Sequence, residues 1–266
     1  MSRKLYIPLM VLLCLFGGFK PLEPAGGPFV IKTAFDDFTA DNIGNVYFLK
    51  EAELQKFQAN GKLFARYSNL QLGDITLVDV TNPLKILLYY RDLQQLVFLD
   101  NQLSGNSAQV SLVDLGYEQT DLVCSSVNNS FWLYNKQNNE LLRFNENSQK
   151  VANTGNLKQL LRNDINPMSM LEHNNYLYLN CPDNGIYVFD MFGAFVKLIG
   201  ITKLKEFQVN DKLIYFQRDS VLCSYHTKLL EELCKPLPNI GNKRPVKYLH
   251  GKLYQAFKDS LVIQPF

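Results

Sequence analysis

The chain has 266 residues, enough for one large all-β domain or two smaller ones, and its 47% hydrophobic content supplies a real core. Lys+Arg 27 against Asp+Glu 25 leave a formal charge of +2, so nothing electrostatic points to nucleic acid or to an acidic lipid surface. Tyr 14 and Phe 18, mixed with Val, Ile and Leu in short runs, favour pleated sheet over helix.

The N-terminus is unlike the remainder of the chain. Arg3 and Lys4 precede an uninterrupted apolar run from Leu5 to Phe16, and the small residues Gly17 and Gly18 come next. This is the layout of a secretory signal peptide, expected over residues 1–25 and cut somewhere between Gly17 and Ala25. The run is shorter than the roughly 20 apolar residues of a spanning helix, so no transmembrane span is expected after its removal. Lipid attachment through Cys14 is disfavoured, because Leu13 is bulky where an acylation signal takes a small residue. The expected destination is the periplasm or cell envelope.

Residues 27–266 then repeat one phrase six times: from Asn45, Lys85, Ser130, Tyr176, Lys212 and Lys252. The starts are about 36 to 46 residues apart, the spacing of propeller blades. Each copy is an apolar strand, a polar turn, a second strand and, in most, a further turn and strand. One more short strand precedes each, as in "FDDFTADNIG", "LVCSSVNN" and "MSMLEHNN". Four antiparallel strands per unit predict an all-β, six-bladed β-propeller as a single domain. The turns "QANGK" and "PDNG" supply the Asn, Asp and Gly that tight reversals need. Only "GNLKQLLRNDIN" from Gly155 has a helical pattern. The last copy ends at Phe266 after three strands, so "GPFVIKTAF", Gly27 to Phe35, is expected beside "SLVIQPF" to complete the sixth blade.

The phrase "DNGIYVFDMFGAFVKLIGI" resembles the blades of six-bladed propellers of the NHL and YncE-like groups, where a glycine turn precedes an apolar strand that ends in Asp. Through "FTADNIGNVYFL", "NPLKILLYYRDLQQLVFLDN" and "TGNLKQLL", the whole chain is similar to a family of exported Bacteroidota propellers. The resemblance implies the fold and export, and it implies no catalytic residue.

Turns between the second and third strands fall on one face of a propeller, with the links between blades. Here they place Glu51, Asp92, Asp183, Asp219 and Asp259, with Arg91, Arg218 and Lys258 each directly before a carboxylate. These eight residues form a candidate binding face at the pore mouth, since propeller loops commonly carry function. The competing reading is that Asp recurs because it caps turn N–H groups. The opening of "CPDNG" at Cys181 raises the same choice between a reactive loop and a plain turn.

Of the cysteines outside the signal, Cys223 faces Cys234 if a turn is centred on Lys228 and Leu229, which allows a disulfide. Two free buried thiols are the preferred alternative. Cys124 and Cys181 are expected as core thiols. The pattern contains no C-x-x-C, and His173, His226 and His250 are isolated, so neither metal nor cofactor is expected. Trp132, Tyr89 and Tyr90 are expected to pack between blades rather than to form a ligand platform. No G-x-S-x-G and no glycine-rich phosphate loop occurs. The reading that results is an exported, non-catalytic, monomeric propeller domain that binds or scaffolds another envelope protein. The alternative is a propeller enzyme or small-ligand binder using the turn aspartates.

Overall fold

A computed structural model describes residues 27–104, 109–238 and 246–266; the expected signal segment lies outside them. β1 (Phe29–Lys32) opens the described chain. Blade 1 follows as β2 (Asp37–Ala40), β3 (Val46–Lys50), β4 (Glu53–Phe57) and β5 (Leu63–Ser68). Blade 2 is β6 (Leu77–Asp79), β7 (Ile86–Tyr90), β8 (Gln95–Leu99) and β9 (Gln109–Ser111). Blade 3 is β10 (Thr120–Ser125), β11 (Phe131–Asn135), β12 (Glu140–Phe144) and β13 (Lys150–Asn153), with the short helix α1 (Leu157–Leu161) after it. Blade 4 is β14 (Ser169–His173), β15 (Tyr176–Cys181), β16 (Gly185–Asp190) and β17 (Phe195–Ile199). Blade 5 is β18 (Gln208–Asn210), β19 (Leu213–Arg218), β20 (Val221–His226) and β21 (Glu231–Pro236). Blade 6 is β22 (Val246–Leu249), β23 (Lys252–Ala256) and β24 (Ser260–Pro265), with β1 as its fourth and outermost strand.

The six four-stranded antiparallel sheets make the expected propeller, and ring closure occurs where the sequence placed it. β1 pairs with β24 in a register that sets Phe29 against Ile263 and Lys32 against Ser260. Middle strands are buried on both faces because each blade is sandwiched by two others, so they read as unbroken apolar runs: "ILLYY" in β7 and "FWLYN" in β11 are buried at every position. Trp132, Tyr89 and Tyr90 lie fully inside these runs, as packing residues.

Turn chemistry explains the rest of the repeat. The turns after the inner strands hold both central residues at positive φ, Asn128 and Asn129 in blade 3 and Asn174 and Asn175 in blade 4, a geometry Asn tolerates. A residue at or just past the end of the third strand caps the next turn in blades 2, 3 and 4. Asp190 accepts from the Phe192 and Ala194 N–H groups, both at 2.9 Å, and Asp100 and Asn145 do the same in blades 2 and 3. In "PDNG", Gly185 has φ +120°, and a Cβ there would lie 2.3 Å from the Ile199 carbonyl oxygen, so only glycine fits.

The core is divided into seams between successive blades. Blades 3 and 4 share a cluster that includes Trp132, Leu141, Leu177, Leu179 and Phe189. Blades 6 and 1, the closing pair, share Ile31, Phe35, Phe48, Tyr254 and Leu261, with Phe35 and Phe48 rings 4.8 Å apart. Between blades 5 and 6, the buried cluster among the described residues is only Leu222, Leu237 and Leu253.

Candidate functional site

The turns between second and third strands are formed as expected, and their charged residues are solvent-exposed at Glu51, Arg91, Asp92, Asp183, Arg218, Asp219, Lys258 and Asp259. The contacts of most of them stay local. Glu51 donates its N–H to Asp36 Oδ2 at 3.1 Å, and Arg91 donates Nη2 to the Asp121 carbonyl of the next blade at 3.0 Å. Arg218 and Asp219 line one cavity together.

That cavity, of about 920 Å³, lies off the axis over blade 5. One wall is the link from blade 4, residues 200–207, where Ile201, Leu204 and Phe207 recur every third position and turn inward, leaving Lys203, Lys205 and Glu206 exposed. Phe216 and Leu222 of β19 and β20 complete an apolar floor. The rim on the other side is Arg218, Asp219 and Glu232 of β21. Arg218 holds Glu232 through both oxygens, at 2.6 and 3.3 Å, which fixes a planar charged pair on the rim. Tyr215 lies at the edge with its ring 4.7 Å from Tyr248; burial, then the neighbouring Tyr248, raises its phenol pKa.

Sequence reasoning singled out Arg218 and Asp219 but missed Glu232 and the link that forms the floor. The signal was present as the three-residue spacing of Ile201, Leu204 and Phe207 among polar residues.

The thiols sort by burial. Cys181 is fully buried, and burial followed by the nearby Asp183 charge pushes its pKa up to about 12, so "CPDNG" presents a turn and not a nucleophile. Cys124 is likewise buried, with its pKa raised by burial and by the charges of Asp79 and Glu172. Cys223 and Cys234 are disulfide-bonded across β20 and β21, with Cα atoms 4.0 Å apart. Cys234 is exposed, so two buried thiols do not describe this pair. Glu232 lies beside both sulfurs, and with the bond formed the three offer no thiolate pair to a metal.

Buried polar groups serve the seams. Glu172 accepts from Trp132 Nε1 at 2.6 Å, from the Val127 N–H at 3.0 Å and from the Ser126 hydroxyl, and Arg143 donates to that same hydroxyl at 2.7 Å. Lys56 donates to the Asn101 carbonyl at 2.6 Å, joining blades 1 and 2; burial lowers its pKa despite the Asp41 and Asp100 charges.

Fold and site together define a six-bladed β-propeller with an off-axis cleft on its link-bearing face. No protein-family model matches the sequence, and no curated protein matches it. Among solved structures it is similar to a streptogramin B lyase, with a TM-score of 0.60 and 10% identity over 89% of this chain and 97% of that one. A virginiamycin B lyase from Staphylococcus aureus aligns at 0.56 and 12% identity, over 86% of this chain and 79% of that one. The Pan2 WD40 domain of Neurospora crassa aligns at 0.55 and 10% identity, over 88% and 75%. At such identities the likeness is one of fold. Among the described residues no helix is long and apolar enough to cross a membrane.

Proposed function

We propose that the chain is an exported, non-catalytic propeller that binds another protein of the cell envelope and serves as a docking or scaffolding module. The observation that carries this reading is the cleft over blade 5, where an apolar floor of Ile201, Leu204, Phe207, Phe216 and Leu222 lies beneath a rim of fixed charge. A floor for apolar side chains with a charged rim is the anatomy of a recognition patch. On the rim, Arg218 is already paired with Glu232, whereas Lys203 and Lys205 form no ion pair among the described residues, so the rim favours an acidic neighbour to the apolar anchor. The leader expected over residues 1–25 supports export.

Crosslinking in intact cells followed by purification from envelope fractions tests the reading. Wild type is expected to retain one specific protein that Lys203→Glu/Lys205→Glu releases; equal retention by that variant, or no crosslinked protein, contradicts it. The cleft volume is also in the range of small-ligand sites, roughly 300–1,000 Å³. The small-ligand alternative draws support from the same cleft, whose rim includes the turn residue Asp219. It predicts ligand-induced stabilisation, which a thermal-shift screen of envelope metabolites would register.

A further inference from the structure

The outer strand of blade 5 differs from every other outer strand. All six residues of β21 are exposed, with Leu233 at 72%, whereas β5, β17 and β1 each bury one residue. It is also the outer strand that carries both signs of charge. β1, β5, β13 and β17 contribute only Lys32, Arg66, Lys150 and Lys197, and β9 has no charge at all. β21 reads "EELCKP", with Glu231 and Lys235 placed symmetrically about Leu233.

We infer that β21 is the contact by which two copies of this chain pair, edge to edge and antiparallel, about a two-fold axis through Leu233. The ladder selects this register. The Leu237 N–H donates to the Ser220 carbonyl at 2.9 Å, and alternation along the β20–β21 pair then gives hydrogen-bonded partners at 222/235, 224/233 and 226/231. The close approach of Cys223 and Cys234, Cα atoms 4.0 Å apart, marks the intervening non-hydrogen-bonded position. The backbone groups of Glu232 and Cys234 therefore point away from the blade, unpaired, along the outer edge.

Only a two-fold centred on Leu233 uses those groups fully. Glu232 then faces Cys234 of the second copy, and the two pairs exchange four N–H···O bonds. Centring one residue later would set Glu232 against Pro236, which has no N–H to give. In the chosen register one face carries Leu233 against Leu233, flanked on each side by Glu231 against Lys235 of the other copy. The opposite face needs nothing, because Glu232 is held by Arg218 and Cys234 by Cys223. Such an isologous contact closes at two copies. The strands run antiparallel, so the two clefts open toward opposite sides of the dimer. This departs from the monomeric domain expected from the sequence.

Size-exclusion chromatography with light scattering on the purified protein, at submillimolar concentration, tests the pairing. Wild type is expected at twice the chain mass. Glu231→Lys and Lys235→Glu should each weaken the dimer by about tenfold or more, since each sets like charges opposite twice. The double variant Glu231→Lys/Lys235→Glu should restore it, with unchanged circular dichroism in all four proteins. Leu233→Cys should give a covalent dimer on mild oxidation, the two sulfurs lying across the axis. A monomeric wild type, a double variant as weak as the single ones, or a Leu233→Cys chain that stays uncrosslinked would each overturn the inference.

Discussion

The seam between blades 3 and 4 and the seam between blades 5 and 6 are built from the same four-stranded unit, yet they are packed differently. The first buries Trp132, Leu141, Leu177, Leu179 and Phe189 and locks them with Glu172, whose oxygens take three hydrogen bonds from blade 3. The second, among the described residues, buries Leu222, Leu237 and Leu253 with Val246, Tyr248 and Phe266 partly buried against them; Gln208 Oε1 accepts from the Tyr248 N–H at 2.8 Å, Gln255 donates to the Pro238 carbonyl at 2.8 Å, and Lys247 pairs with Glu206 at 3.8 Å. The difference lies in alternation. On β19 and β20 the positions that face blade 4 are Ile214, Phe216 and Cys223, while the intervening positions are Tyr215, Gln217, Leu222, Ser224 and His226. Polar side chains on that face bury less apolar surface, and the cleft lies over the same blade. Among the described residues, the seam that closes the ring buries more apolar side chains than the seam between blades 5 and 6.

The largest effect should come from removing the closure. Deleting Gly27–Phe35 takes away β1 and exposes the surface that Ile31 and Phe35 cover, at a cost on the order of 5 kcal/mol or more. Thermal unfolding followed by circular dichroism should move down sharply, and a truncated protein that melts like the full chain would contradict closure by β1. A smaller but still large loss is expected at the tight seam. Glu172→Ala leaves the buried Trp132 Nε1–H and the Val127 N–H without their acceptor, at about 3–5 kcal/mol by urea denaturation. Gln208→Ala removes one bond at the loose seam, and should cost about 1 kcal/mol. Similar losses at the two sites would erase the contrast between the seams.

The smallest effect is a pH dependence at the intermediate seam. His173 Nε2 accepts from the Asp211 N–H at 3.0 Å, which joins blades 4 and 5 and requires that nitrogen to be unprotonated. Burial, only partly opposed by the Asp211 charge, lowers the folded-state pKa below 6.5. The unfolded chain therefore binds the proton first, so stability is complete above pH 6.5 and declines as pH falls from there through the folded value. The advantage of wild type over His173→Ala should be present above that pH and vanish under acid; a constant difference would show that the ring does not titrate in this window.

Most of the architecture was legible in the sequence because a repeat states its grammar six times. The missing fourth strand of the last copy, and the unused "GPFVIKTAF" at the start, fixed the closure without any contact information. The turns were legible too, since Asp190 and its counterparts in blades 2 and 3 end strands at equivalent positions. The cleft was not legible in advance, because it is lined by Tyr215 and Gln217 of β19 and by a link whose inward face is set by packing. Blade 5 stands out in that its outer strand is exposed at every position and carries both signs of charge.

Amide hydrogen exchange resolved by strand tests the account most directly. The contrast between seams predicts that β10, β11, β14 and β15 retain protons longest, that β1 and β24 are intermediate, and that β18, β19 and β22 exchange first. Uniform protection around the ring, or earliest exchange at β1 and β24, would contradict the claim that the propeller closes firmly at its termini and is loosest between blades 5 and 6.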